Sequence, residues 1–184
     1  LESGYKQTEG QFFTPTPIAK FIISSIPLKA IVEEKLIKGE KQYLPFVVDF
    51  ACGSGHFLTE AIADIAKLLE VLTEEEIKAM PDADKLEFAL KELSNYKQDM
   101  RWAGEYIYGI EKDYRLARTS QVACFMHGDG DANIIFGDGL EHHERLPKDG
   151  KFDVLIANPP YTIKDFKKHL KVNPHDFDLW EHVT

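Results

Sequence analysis

The run Phe46-Val47-Val48-Asp49-Phe50, followed by Ala51-Cys52-Gly53-Ser54-Gly55, constrains this chain more than any other segment. A nearly continuous apolar run of this length reads as a strand buried on both faces, the kind found in parallel sheets. Beyond the glycine turn, Leu58, Ile62, Ile65, Leu69 and Leu72 recur at spacings of 4, 3, 4 and 3. That spacing predicts an amphipathic helix. Strand, glycine turn and helix in this order open a nucleotide-binding α/β sheet.

The flanking segments extend the pattern. Thr14-Pro15-Thr16-Pro17 is a stiff mark, and Pro17 suits the first position of a helix. Ile18, Phe21, Ile22 and Ser25 then recur at helical spacing up to Pro27, and a second helix is expected over Ala30 to Lys38, ended by Gly39. Residues 73–100 are helical in pattern, interrupted at Pro81. Tyr106 to Ile110 reads as the second strand, Tyr114 to Met126 as a helix, Asn133 to Phe136 as the third strand and Phe152 to Ala157 as the fourth. A short basic helix is expected around Lys164 to Leu170. These elements make a doubly wound, mostly parallel α/β unit, expected to stop after its fourth strand. Two regions follow: an N-terminal helical segment over 1–45 and an α/β core over 46–184, with 73–100 as an acidic insertion.

Charge narrows the partners. The chain of 184 residues carries 22 basic and 31 acidic residues, a net charge of −9. Non-specific affinity for nucleic acid comes mainly from phosphate neutralisation, so an acidic chain binds it poorly unaided. Residues 70–100 hold nine acids against four bases, so the remainder is nearly balanced. A DNA-facing surface elsewhere is therefore compatible with the composition, and Lys164, Lys167, Lys168 and Lys171 define one basic helix face, for phosphate or simply for solvent. No apolar stretch is long enough to span a membrane, and the polar start carries no secretory signal. Cys52 and Cys124 lie in apolar contexts, which points to free thiols and a cytoplasmic setting. His127, His142 and His143 lack metal-ligand spacing and read as surface or capping residues, so no metal is expected.

The glycine turn departs from the dinucleotide fingerprint. It lacks a third glycine, and Asp49 stands four residues before the first. Pyrophosphate wants backbone amides and little negative charge, whereas a carboxylate here favours an ammonium or sulfonium. Glu111 closes the second strand, where it could accept from both hydroxyls of a ribose or cap the helix beginning near Tyr114, a task open to Asp113 as well. Asp138, in Gly137-Asp138-Gly139-Leu140, could accept from an exocyclic amine or serve as a turn residue. Asn158-Pro159-Pro160-Tyr161 follows the fourth strand at its carboxyl end, where open α/β sheets place ligands. There the Asn158 oxygen and the Pro159 carbonyl can accept both hydrogens of a planar amine, and Tyr161 offers a face for stacking its ring.

Gln11-Phe12-Phe13-Thr14-Pro15-Thr16-Pro17, the Asp49 to Gly55 turn, Gly109-Ile110-Glu111-Lys112-Asp113, Gly137 to Leu140 and Asn158 to Tyr161 together resemble the successive motifs of amino-group DNA methyltransferases. Their order resembles the gamma arrangement. The Gly10-to-Pro15 and Phe125-to-Gly128 contexts look most like the modification subunit of type I restriction-modification systems. The resemblance covers about residues 9–161 and departs at 73–100 and in ending before the later motifs. It implies a Rossmann-like, S-adenosylmethionine-dependent methyltransferase fold that methylates the exocyclic amine of a flipped adenine in DNA.

By that resemblance, Gln11, Phe12, Phe13, Thr14 and Pro15 close over the methionine end of the cofactor. Asp49, Ala51, Gly53 and Gly55 line the methionine and sulfonium region, and Cys52, Ser54 and Phe57 complete that set. Glu111, with Lys112 beside it, holds the ribose, and Asp138, with Gly139, the adenine amine. Asn158, Pro159, Pro160 and Tyr161 form the acceptor site, Asn158 also bordering the cofactor. A specificity subunit and a restriction subunit are the implied partners. Methylation of an RNA base or a protein glutamine, or a non-catalytic cofactor-binding or assembly module, are the alternatives.

Overall fold

The computed structural model describes residues 13–78, 80–128, 133–147 and 151–160. Two helices come first, α1 over Thr16–Ser24 and α2 over Leu28–Ile37. Strand β1 spans Val47–Asp49, and the glycine turn leads into α3, His56–Val71. The acidic stretch supplies α4, Glu74–Ile77, and α5, Ala83–Gln98. A helical turn α6, Ala103–Tyr106, runs directly into β2, Ile107–Glu111. Helix α7, Tyr114–Met126, then precedes β3, Asn133–Phe136, and β4, Val154–Leu155.

The four strands form one all-parallel sheet in the order β3-β2-β1-β4. This is the α/β, Rossmann-like methyltransferase architecture expected from the sequence. The chain builds outward from β1 through β2 to β3, then returns to β1's other side with β4. The reversal opens a crevice at the carboxyl ends of β1 and β4, where doubly wound sheets bind ligands. Whether further strands follow concerns residues outside those described, as does the basic helix expected at Lys164 to Leu170.

Burial follows the apolar spacing. Leu58, Ile62, Ile65 and Leu69 of α3 are buried, together with Val47, Ile107 and Ile134 of the sheet. Gly55 takes φ +86°, and a Cβ there would lie 2.4 Å from Ser120 Oγ, so glycine lets the start of α3 close onto α7. Residues 73–100 are no appendage. Ala89, Leu93 and Tyr96 of α5 are buried, and the Tyr96 and Tyr106 hydroxyls share a 2.9 Å hydrogen bond. The acids of that stretch lie on the opposite, solvated side, as amphipathicity requires.

Tyr106 was expected to begin β2 and instead ends α6. Its bond to Tyr96 and its packing against Phe46, at 4.7 Å between ring centroids, hold it on the helical turn. β3 spans the expected Asn133–Phe136, whereas β1 and β4 are shorter than the runs Phe46–Phe50 and Phe152–Ala157, β4 pairing with β1 only through Val154 and Leu155. Cys52 and Cys124 are buried thiols that form no disulfide. Among the described residues no helix is long and apolar enough to cross a membrane.

Candidate active site

The turn between β1 and α3 is built by backbone hydrogen bonds. Cys52 N donates to Ile110 O at 3.0 Å, tying the turn to β2, and Gly55 N donates to Cys52 O at 2.8 Å. Gly53 and Gly55 both have positive φ. Asp49, at 1% exposure, points into this turn and accepts from Ala51 N at 3.0 Å. Burial raises its carboxyl to about 7; the Ala51 N–H opposes that shift and the negative Glu111 adds to it.

Glu111 accepts from Gly53 N at 2.8 Å and from Asp113 N at 2.7 Å, one through each carboxylate oxygen. The helix-capping alternative falls to its neighbour: Asp113 caps α7, accepting from Arg115 N and Leu116 N. Glu111 is thus free of capping and braces the glycine turn. Its oxygens still have acceptor capacity, since an ionised carboxylate can accept about four hydrogen bonds.

Asp138 accepts from Lys112 Nζ at 2.7 Å and from Leu140 N at 3.1 Å. Burial works to raise its carboxyl, but Lys112 and the Leu140 N–H together hold it below the usual range. A Cβ on Gly139 would lie 2.1 Å from the Phe50 carbonyl oxygen, so the chain leaving β3 folds back against the chain leaving β1. His143 meets the Asp138 carbonyl through Nε2 at 2.7 Å, so it braces this turn rather than lying on the bare surface. His127 is the C-cap of α7. Among the described residues no three His, Cys, Asp or Glu side chains are grouped to hold a metal ion.

Beside the glycine turn a small cleft, open to solvent, is lined by Phe13, Thr14, Asp49, Ala51, Cys52, Ser54, His56, Phe57 and Asn158. Residues from three distant parts of the chain therefore meet here: the Phe-Thr-Pro segment, the β1 turn and Asn158 in the loop beyond β4. Asn158 Nδ2 donates to Thr14 Oγ1 at 3.1 Å, and His56 Nδ1 meets Thr14 O at 3.0 Å. Pro15 caps α1, its carbonyl accepting from Ile18 N and Ala19 N. Burial pushes the Cys52 thiol up, which keeps it a neutral packing group. Glu111, Lys112, Asp138 and Gly139 stand outside the cleft lining, beyond the glycine turn. Pro159 and Pro160 are exposed. Gln11, Phe12 and Tyr161 lie outside the described residues.

A family model described as N-6 DNA methylase matches residues 3–182. The chain belongs to the N-6 DNA methylase family. A relative, the type II restriction enzyme and methyltransferase RM.Eco57I of Escherichia coli, is 26% identical over 203 residues, covering 91% of this chain and 19% of the relative. The chain thus spans about a fifth of the length of that curated relative. His56 is the cleft residue that sequence reasoning missed. Its position, directly after the glycine turn at the first residue of α3, was the available signal. Lys35 was missed as well: 6% exposed, it donates to Asp153 Oδ2 at 2.7 Å and to Leu44 O at 3.1 Å, pinning α2 to the start of β4. A lysine in register with Leu28, Val32 and Leu36 on the buried helix face was its signal.

Proposed function

We propose that this chain is the cofactor- and acceptor-binding core of an enzyme that transfers a methyl group from S-adenosylmethionine to the exocyclic amine of adenine in DNA. The observation that carries the reading is the meeting of Asp49, the glycine turn, Thr14 and Asn158 around one cleft. The donors and acceptors present suit this cofactor. Buried Asp49 offers a carboxylate for a cationic group, Glu111 has oxygens for a ribose diol, and Asp138 is held ionised as an acceptor for an adenine amine. Lys112 sets that ionisation, Gly139 brings the Asp138 turn close, and Phe13, Cys52, Ser54 and Phe57 wall the cleft. When bound, S-adenosylmethionine supplies an electrophilic methyl group.

The protein's own part is alignment and hydrogen bonding. An adenine amine is conjugated with its ring and is a weak nucleophile. The Asn158 oxygen and the Pro159 carbonyl accept its two N–H groups, which increases electron density on nitrogen and holds it in line with the methyl carbon. Neither proline of the motif offers an N–H, so the local carbonyls remain available as acceptors. Tyr161 stacks on the flipped ring, a contact of about 1–3 kcal/mol. No strong general base is required.

The setting is restriction and modification. The Phe125-to-Gly128 and Gly10-to-Pro15 contexts favour a modification subunit that works with separate specificity and restriction subunits in the cytoplasm. The Escherichia coli relative favours a second arrangement, since its name joins restriction enzyme and methyltransferase in one protein. The experiment is labelled methyl transfer to adenine-rich duplex DNA by the whole protein that contains this chain, with digestion to nucleosides. N6-methyladenine as the product, lost in Asn158→Ala, is expected. Label on cytosine, on RNA alone or on a protein glutamine would contradict the reading. A net charge of −9 also predicts that the 184 residues by themselves transfer little, because base flipping costs a few kcal/mol that DNA contacts must offset.

A further inference from the structure

We infer that Thr14 and His56 are positioning residues that set the acceptor-binding amide of Asn158, an inference that rests on the methyl-transfer reading above. Two hydrogen bonds join three segments. His56 Nδ1 lies 3.0 Å from the Thr14 carbonyl oxygen, 42 residues away in sequence, and Asn158 Nδ2 donates to Thr14 Oγ1 at 3.1 Å across 144 residues. A carbonyl only accepts, so His56 carries its proton on Nδ1 and donates it. His56 is the first residue of α3, immediately after the glycine turn. The relay therefore runs from the rigid start of α3, through the Phe-Thr-Pro segment, to Asn158 in the loop beyond β4.

Asn158 needs such support. It is exposed, it follows a strand of only two residues, and among the described residues Thr14 is its one side-chain partner. An unsupported amide on an exposed loop samples several rotamers, and fixing one costs entropy each time a substrate binds. Thr14 is itself well placed to fix it. Pro15 restricts the backbone that follows it, and α1 is anchored on α3 through buried Ala19 and Ile23. A hydroxyl can partner an amide in either orientation, so Thr14 determines where the amide lies. An incoming amine, presenting two N–H donors, then favours the orientation with Nδ2 on Thr14 and Oδ1 toward the amine. This gives the Phe-Thr-Pro threonine, besides its place in the cleft lining, a part in the acceptor half of the site, and gives His56 a role by way of Thr14.

The test compares paired variants in the whole protein that contains this chain. Thr14→Val keeps the shape and removes the hydroxyl; it is expected to lower kcat about tenfold, as for one lost hydrogen bond that aligns the reacting groups. Thr14→Ser restores the hydroxyl and should recover most of kcat. His56→Ala should show the same pattern with a smaller loss, and His56→Asn, whose amide can donate from a similar place, should recover part of it. Equal loss in Thr14→Ser and Thr14→Val would overturn the inference. Should the wild-type protein transfer no methyl group, the reaction reading fails while this inference is still read by NMR. The Asn158 side-chain amide resonances should then shift and exchange faster in Thr14→Val than in wild type or Thr14→Ser, and unchanged resonances would overturn it.

Discussion

The turns after β1 and β3 each present an aspartate to the same end of the sheet, and the two carboxyl groups are pushed in opposite directions. Asp49 is 1% exposed, takes one backbone N–H, and is raised to about 7 by burial with Glu111 adding negative charge. Asp138 is also partly buried, yet Lys112 and the Leu140 N–H hold it below the usual range. Position at a strand end does not determine protonation; the depth of burial and the local hydrogen-bond and charge partners do. The β3 turn carries its own cation and is ready to accept a hydrogen bond as an anion. The β1 turn lacks one, and a cationic ligand can supply it.

That contrast can be broken most forcefully at Asp49. Unfolded, its carboxyl titrates near 3.8; folded, it titrates near 7, so between those values the folded state holds a proton the unfolded state has shed. The resulting stabilisation is complete below about pH 4 and is lost as pH rises through about 7. A shift of this size corresponds to about 4 kcal/mol. Without ligand, Asp49→Asn should therefore remove most of the fall in stability between pH 4 and 8, and be the more stable form at pH 8. Urea unfolding at several pH values checks this, and a wild-type profile that rises over that range would contradict it.

Glu111→Ala should come next in size. It removes the acceptor of two backbone N–H groups and the expected ribose partner, weakening S-adenosylmethionine by about 1.5–3 kcal/mol in calorimetry. Gly139→Ala tests whether the two turns press together. Its Cβ would collide with the Phe50 carbonyl, and about 1–3 kcal/mol of stability should be lost. Lys112→Ala should have the smallest effect, under about 1 kcal/mol, because Lys112 is largely exposed in its pair with Asp138. The Asp138 carboxyl should then titrate higher, which NMR can follow.

Much of the fold was legible because its signals are local. The 4-3-4-3 spacing of α3 and the apolar run of β1 each report burial on their own. The carboxylates at the ends of β1 and β2 could be placed because a strand and a turn fix where their residues stand. What escaped was long-range. Tyr106 has the look of a strand residue, and only its hydroxyl bond to Tyr96 on α5 explains its helical turn. His56 reads as an ordinary polar residue until Thr14 is brought beside it, and Lys35 as a solvated lysine until Asp153 arrives from 118 residues away. The choice between capping and bracing for Glu111 was likewise invisible, since it turns on Gly53 N lying 2.8 Å from its oxygen.

The central claim is that buried Asp49 awaits a positive charge, and calorimetric titration of S-adenosylmethionine across pH 6 to 8 tests it directly. Binding a cation favours the ionised carboxylate, so affinity should rise with pH through about 7, with protons released to the buffer on binding near that value. Asp49→Asn should bind more weakly and lose both the rise and the proton release. Affinity that is flat with pH in the wild-type protein, and equal in Asp49→Asn, would contradict the account.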